Sequence, residues 1–167
     1  INFRPNRLPI RKRAMTNRTK PATLYTIGFT QKSAEEFFTL LQENQIRKVI
    51  DVRLNNRSQL AGFSKGRDLE YFLRTIGKID YEHHPELAPS KEILNRYKKE
   101  KGSWEEYEHS FLQLLNSRRV DVFIHSNDLD HCCLLCSEPT AEQCHRRLVA
   151  EEICRHQSGS KIIISHI

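Results

Sequence analysis

Two short apolar runs, Thr23-Leu-Tyr-Thr-Ile27 and Lys48-Val-Ile-Asp-Val52, flank a segment that carries both a helix start signal and a helical apolar stripe. Nothing else in the chain restricts its fold as strongly. Ser33 and Glu36 make a capping box. Ala34, Phe37, Phe38 and Leu41 follow the i, i+3, i+4, i+7 spacing of one buried face. Strand, helix and strand joined by a crossover of this length predict two parallel strands.

The alternation continues. Residues 53–66 form a polar loop too long for a tight turn, a length that is often functional. Leu69, Phe72, Leu73 and Ile76 then share a helical face, with Gly77 as the stop. Ile79–His84 is read as a third strand, the residues between Pro85 and Pro89 as a turn, and Ser90–Lys99 as a helix. Ser103-x-x-Glu106 is a second capping box, with Trp104, Tyr107, Phe111 and Leu114 inward. Residues 118–130 are ambiguous, and Val120–Ile124 reads as a short strand or an irregular link. His131–Ser137 has the clearest strand pattern; Thr140-x-x-Gln143 then caps a helix to about His156, and Lys161–His166 is a last strand. The expected architecture is one three-layer α/β domain over residues 23–167, with a mostly parallel sheet and helices on both faces.

A chain of 167 residues fits one domain. No apolar run approaches ~20 residues, so no membrane span is expected. The five cysteines, all between residues 132 and 154, are odd in number and clustered. Such a set makes a poor disulfide framework, so free thiols in a reducing, cytoplasmic compartment are expected. Five of the six net positive charges sit on Arg4, Arg7, Arg11, Lys12 and Arg13, within a segment that holds no acid. The chain begins with Ile and its one methionine is Met15, which suggests a native start there. Residues 1–22 are therefore read as a disordered or artificially added basic segment. The alternative is a genuine arm for nucleic acid.

In open α/β sheets ligands sit outside the carboxyl ends of the strands. Three such ends carry chemistry: Gly28-Phe29-Thr30, Asp51-Val52-Arg53, and Cys136-Ser-Glu-Pro139 leading to Cys144-His-Arg146. Asp51 and Arg53 lie on one side of an extended chain. There they form either a clamp for an anion or a salt bridge bracing the strand end. Residues 136–146 bring together two thiols, a carboxylate, an imidazole and a guanidinium. A helix N-terminus lowers a nearby thiol pKa, and a Cys–His pair suits nucleophilic catalysis. The alternative is that Cys132, Cys136 and Cys144 are small core residues. Cys133-x2-Cys136-x7-Cys144-His145 superficially matches a zinc ligand set. Strand alternation divides Cys133 from Cys136, and consecutive helical residues diverge by about 100°, so no metal ligand is assigned. Arg57 and neighbouring polar residues in the loop suit a phosphate or a base, and Tyr81 with His83 and His84 could line the crevice.

Leu24-Tyr-Thr-Ile-Gly28, Val49-Ile-Asp-Val-Arg53, Gln59-Leu-Ala-Gly-Phe-Ser64, Ile79-Asp-Tyr81 before Pro85-Glu-Leu87, Trp104-Glu-Glu-Tyr107, Leu134-Leu-Cys-Ser-Glu138 and Cys144-His-Arg146 together resemble the domain of unknown function 488 family over residues 22–167. The resemblance implies a compact α/β fold in a prokaryotic or phage cytosol. It also carries the suggestion of a role on nucleotides or nucleic acids. Its motifs carry over to Gly28, Asp51, Arg53, Cys136, Glu138, Cys144, His145 and Arg146. Many relatives have Leu-Gly-Gly where this chain has Leu87-Ala-Pro89, which removes any glycine-dependent backbone contact there. Val49–Arg53 also resembles rhodanese-like domains, but their Gly-rich cysteine loop is absent.

The expected function is an enzyme acting on a nucleotide, nucleic acid or other anionic substrate. Cys136, Glu138, Cys144, His145 and Asp51 are its candidate catalytic residues. Gly28, Thr30, Arg53, Arg57, Arg146 and Tyr81 are its candidate substrate-binding residues. No cofactor is expected, with zinc as a minor possibility. The alternatives are a non-catalytic module that binds nucleic acid or protein, and a zinc-stabilised domain.

Overall fold

The uninterrupted run Cys132-Cys-Leu-Leu-Cys136 forms a strand with every residue buried, as a strand covered on both faces must be. The computed structural model describes residues 21–57, 62–120, 128–157 and 161–167. The elements in chain order are β1 (Ala22–Gly28), α1 (Ala34–Glu43), β2 (Lys48–Asp51), α2 (Gly66–Phe72), β3 (Asp80–His83), α3 (Lys91–Lys98), α4 (Trp104–Ser117), β4 (Cys132–Cys136), α5 (His145–His156) and β5 (Ile162–His166). The strands lie in the order β3-β2-β4-β1-β5, and each neighbouring pair is parallel. The α/β expectation holds, with an all-parallel sheet. β1 and β2 are parallel as expected, but β4 lies between them. That insertion sets Gly28 opposite Cys136 and Asp51 opposite Leu135.

Strand alternation divides the core in two. Leu24, Ile50, Cys132 and Leu134 pack with Tyr107, Phe111 and Leu115 of α4 and Leu148, Val149 and Ile153 of α5. Ile27, Val49, Cys133 and Leu135 pack with Phe37, Phe38 and Leu41 of α1 and Leu69 and Leu73 of α2. Both capping boxes of the sequence open helices. Ser33 Oγ accepts from the Glu36 amide at 3.1 Å, and Ser103 and Glu106 bond reciprocally. No helix among the described residues is long and apolar enough to cross a membrane.

Several local expectations fail for identifiable reasons. Thr140 does not cap α5. Its N-cap is Cys144, in extended conformation, because residues 138–139 are held by bonds from Arg146 instead of winding into a turn. Gly77 is not the left-handed stop of α2; Lys78 is, at φ 53°. Gly77 is small because a Cβ there would lie 2.7 Å from the tip of Ile79. The last turn of that helix, Leu73–Gly77, is π-helical, and Ile76 faces outward, 46% exposed. Ala34 is exposed, and Leu115 is buried more deeply than Leu114 on α4. Ala88 and Pro89, in place of the family glycines, are buried. Arg118 Nη1 donates to the Ala88 carbonyl there at 2.6 Å. Ala22 already belongs to β1. The rest of the basic segment except Pro21, the start at Met15 and most of Val120–Ile124 lie outside the described residues.

Gly28 is required by a close approach. A Cβ there would sit 1.8 Å from the Glu138 carbonyl oxygen and 3.2 Å from Arg146 Nη1. Gly28→Ala therefore forces the 138 loop off β1 and should cost at least the about 1–3 kcal/mol typical of overpacking. Gly62, where a Cβ meets nothing within 4 Å, is the control: Gly62→Ala should stay within about 0.5 kcal/mol of the parent. Urea denaturation of the two variants checks both.

Candidate functional site at the carboxyl end of the central strand

Arg146 organises the site. It is 1% exposed, on the first turn of α5. Its Nη1 donates to the Glu138 carbonyl at 2.7 Å and to Cys144 Sγ at 3.2 Å. Nε donates to Thr26 Oγ1 at 3.3 Å and Nη2 to the Pro139 carbonyl at 3.5 Å. Thr26 Oγ1 also hydrogen-bonds His166 Nδ1 at 2.7 Å. The His166 pKa is lowered, by burial first and the Arg146 charge second. Arg146 is thus committed to the protein interior and is not free to grip a substrate.

The loop that Arg146 holds delivers three donors to one point. Cys136 Sγ, Cys144 Sγ and a His145 ring nitrogen all lie within 4.8 Å of one another, with Cys136 and Cys144 buried. Cys136 Sγ is 3.5 Å from His145 Nδ1. His145 Nε2 bonds the Val52 carbonyl at 2.8 Å. A carbonyl only accepts, so Nε2 carries the proton and a neutral ring leaves its lone pair on Nδ1. Burial lowers the His145 pKa and favours that neutral form. Burial pushes the Cys136 thiol up, but donation from Cys144, the Glu138 amide, the Arg146 charge and the Ser137 amide outweigh it, and the net shift is downward. Cys144 is shifted upward by its bond to Cys136 and by burial. Of the two thiols, Cys136 is the one biased toward the anion.

The cluster forms the floor of a cavity of about 220 Å³. One wall is aromatic: Tyr97, Trp104 and Tyr107. Trp104 stacks on Tyr107 at 5.0 Å between centroids, and Tyr97 meets Tyr107 at 4.9 Å. Ser137, Glu138 and Lys98 lie at the rim, where Lys98 Nζ pairs with Glu138 Oε1 at 3.2 Å. The chain leaving β2, residues 53–55, closes the remaining side. Trp104 and Tyr107 face inward as their helical spacing predicts and also line the cavity, whereas nothing in the sequence spacing gives Tyr97 and Lys98 a role there. The available signal was three large aromatics grouped where α3 and α4 meet, more than a packing seam needs.

Asp51 and Arg53 do not join this cluster. Asp51 shares the sheet face of Val49 and Leu135, opposite to that of Cys136. Arg53 Nε and Nη2 donate to Asp51 at 2.8 and 2.6 Å, and Nη2 donates to the Ser64 carbonyl at 2.9 Å. The guanidinium lies over the Phe29 ring at 5.2 Å. Tyr81 Oη donates to Asp51 Oδ2 at 2.6 Å and accepts from Asn56 Nδ2 at 3.1 Å. Burial, then the Asp51 charge, raises the Tyr81 pKa. Of the two uses open to Asp51-x-Arg53, the observed one is the brace. Arg53 still borders the cavity, yet its guanidinium is engaged on the far face. Gly28 serves the close approach described above. Thr30 is exposed and its amide donates to the Ser137 carbonyl at 3.1 Å. Arg57 is exposed, and its amide is held by Asn55 Oδ1 at 2.9 Å. His83 Nε2 bonds the Arg53 carbonyl at 2.8 Å, and His84 lies between Glu82 and Glu86. Cys133 lies on the Asp51 face, so strand alternation does separate it from Cys136. Cys144 and His145 do converge, because Cys144 is an extended N-cap and not a helical residue.

The molecule is thus defined as an all-parallel, three-layer α/β protein with a sulfur–imidazole cluster at the end of its central strand. The family model described as domain of unknown function DUF488 matches residues 33–153, and the chain belongs to that family. Gly28 and Thr30 precede the matched span. No curated protein and no solved structure matches the chain.

Two outcomes follow for the residues outside the cluster. Arg53→Ala leaves a buried carboxylate without its counter-charge and should cost about 3–5 kcal/mol. Asp51→Asn with Arg53→Gln should fall short of the sum of the single costs by urea denaturation, since the two groups act as one unit. Burial pushes the Cys132 thiol up to about 11, so it stays protonated at neutral pH. At about pH 8 iodoacetamide should spare Cys132 in the folded protein and label it in urea, as read by mass spectrometry of peptides.

Proposed function

We propose that the protein is an enzyme acting on a nucleotide or nucleic-acid substrate, with the reaction at the floor formed by Cys136, Cys144 and His145. One observation carries the reading: a sulfur–imidazole cluster opens onto an aromatic-walled cavity of about 220 Å³. That volume is below the ~300–1,000 Å³ of pockets that enclose a whole ligand. It suits one flat ring system, with the rest of the substrate outside. A base stacked against Tyr97 and Trp104, with its sugar and phosphate toward Lys98, meets that description. Cys136 is the electron-rich group nearest the base. His145 Nδ1 accepts a proton from it or from substrate, and Glu138 serves as the rim carboxylate for proton transfer.

One observation favours a second reading, a binding module that uses the same wall without chemistry. Arg146, the guanidinium bonded to the cluster, is occupied by internal bonds. Cys136→Ala separates the two readings, because stacking on the aromatic wall persists in both and turnover is lost only in an enzyme.

Trp104 is the single tryptophan of the chain, so its fluorescence reports on the wall alone. Titration with mononucleotides and short single-stranded oligonucleotides should quench it saturably. Tyr97→Ala should weaken binding by about 5- to 150-fold, the equivalent of ~1–3 kcal/mol of base stacking. Absence of quenching by every phosphate-bearing ligand tested, in a protein folded by circular dichroism, would sink the substrate assignment.

A further inference from the structure

We propose that Cys136 Sγ, Cys144 Sγ and His145 Nδ1 bind one zinc-class divalent ion whose fourth coordination position opens into the aromatic-walled cavity. This deepens the active-site reading above and rests on it for the substrate, though not for the metal.

The spacing is that of a tetrahedral site. Zinc–sulfur bonds of about 2.3 Å and zinc–nitrogen bonds of about 2.0–2.1 Å, at tetrahedral angles, place the two ligand atoms about 3.6 Å apart. Cys136 Sγ and His145 Nδ1 are 3.5 Å apart, and Cys144 Sγ is within 4.8 Å of the other ligand atoms. Cys136 Sγ also lies 3.7 Å from Nε2, so seating an ion among them requires the imidazole to turn its Nδ1 lone pair toward the sulfurs.

The surroundings of the three donors are those of a ligand set. Metal-ligating histidines give their other ring N–H to a carbonyl or carboxylate, which fixes the tautomer and aims the free nitrogen. His145 Nε2 donates to the Val52 carbonyl at 2.8 Å, leaving Nδ1 for the ion. Arg146 Nη1 donates to Cys144 Sγ at 3.2 Å. Among the described residues Arg146 meets no carboxylate, and a Cys144 thiolate held by a metal would give the buried guanidinium an anionic partner.

The donor types select the ion. Two thiolates and an imidazole favour zinc, iron or copper(I) over magnesium or calcium. Three protein ligands with an open position match the Cys₂His pattern of catalytic zinc, whereas structural zinc is held by four. Among the described residues no fourth His, Cys, Asp or Glu joins this group. Cys133 faces the opposite side of the sheet, and Cys132 lies at the other end of β4. The open position takes water or a donor atom of the substrate ring stacked on the wall.

The test uses the full chain, reduced under anaerobic conditions, loaded with cobalt(II) or zinc(II) and desalted. Elemental analysis should find about one ion per chain, and the cobalt form should show thiolate-to-metal charge-transfer absorption. Cys136→Ala and Cys144→Ala should lose that absorption, while Cys133→Ser should keep it. Cys144→Ala risks unfolding, so a second measurement uses the unaltered chain. Bound zinc should slow alkylation of Cys136 and Cys144, mapped by mass spectrometry, and a chelator should restore it. A folded protein that retains no zinc or cobalt, or whose charge-transfer band survives both substitutions, overturns the proposal. Nucleotide quenching of Trp104 in the chelated protein is read separately. Quenching without metal binding rejects the ion and keeps the substrate; metal binding without quenching rejects the substrate and keeps the ion.

Discussion

A buried arginine, paired with no carboxylate among the described residues, holds this molecule's working end together. Placing a guanidinium at 1% exposure is costly unless its donors are met. Here they are met by two loop carbonyls, a threonine hydroxyl and a cysteine sulfur. Those partners come from β1, from residues 138–139 and from the N-cap of α5, so Arg146 fastens three segments that no backbone ladder joins. The loop is thereby drawn over Gly28 so closely that a methyl group would not fit. The irregular stretch between β4 and α5 follows from this. Within that stretch Arg146 takes up the Glu138 and Pro139 carbonyls, which solvate the buried charge.

Strand alternation then assigns each polar group to one of two independent tasks. On the α1 and α2 face, Asp51 accepts from Arg53, Tyr81 and the Arg53 amide. That network lies beneath Phe29 and the Ser64 carbonyl, and Arg53 Nη1 is buried in it without a hydrogen-bond partner. On the α4 and α5 face, Cys136 looks into a cavity. The two halves touch through one bond, His145 to the Val52 carbonyl, made by the residue that separates Asp51 from Arg53. The salt bridge thus contributes to the cluster at one remove. It fixes the path of residues 51–53, and that path supplies the carbonyl that orients the imidazole.

Most of the scaffold was legible in the sequence because its signals are local. The Ser33 and Ser103 caps, the buried run of β4 and the parallel crossovers each depend on a few neighbouring residues. The location of the site was legible for the same reason, since Cys136 and Cys144-His145-Arg146 flank one strand-to-helix junction. What could not be read depends on side chains meeting across the fold. Asp51 and Arg53 offered the same two residues to a clamp or a brace, and only the burial of Tyr81, Ser64 and Phe29 around them decides for the brace. Trp104 and Tyr107 carry an inward helical period whether they fill a core or line a cavity. The Thr140 cap was locally sound and lost to the long-range bonds of Arg146. Cys144 and His145 diverge only where Cys144 is helical, and it is an extended N-cap.

This last point bears on how a thiol and an imidazole adjacent in sequence come to share one target. Within a helix, neighbouring side chains point about 100° apart. At an N-cap the first residue is extended and the second helical, so the chain turns between them and both side chains reach the same side. Cys144, at φ −132° and ψ 136°, is at that turn. The imidazole is held from behind by a carbonyl and braced edge-on by Phe111 at 5.9 Å. Its free nitrogen thus lies 3.5 Å from Cys136 Sγ before any ligand arrives. An approaching group meets donors whose orientation was settled by folding, which is the condition under which weakly basic side chains become effective at neutral pH.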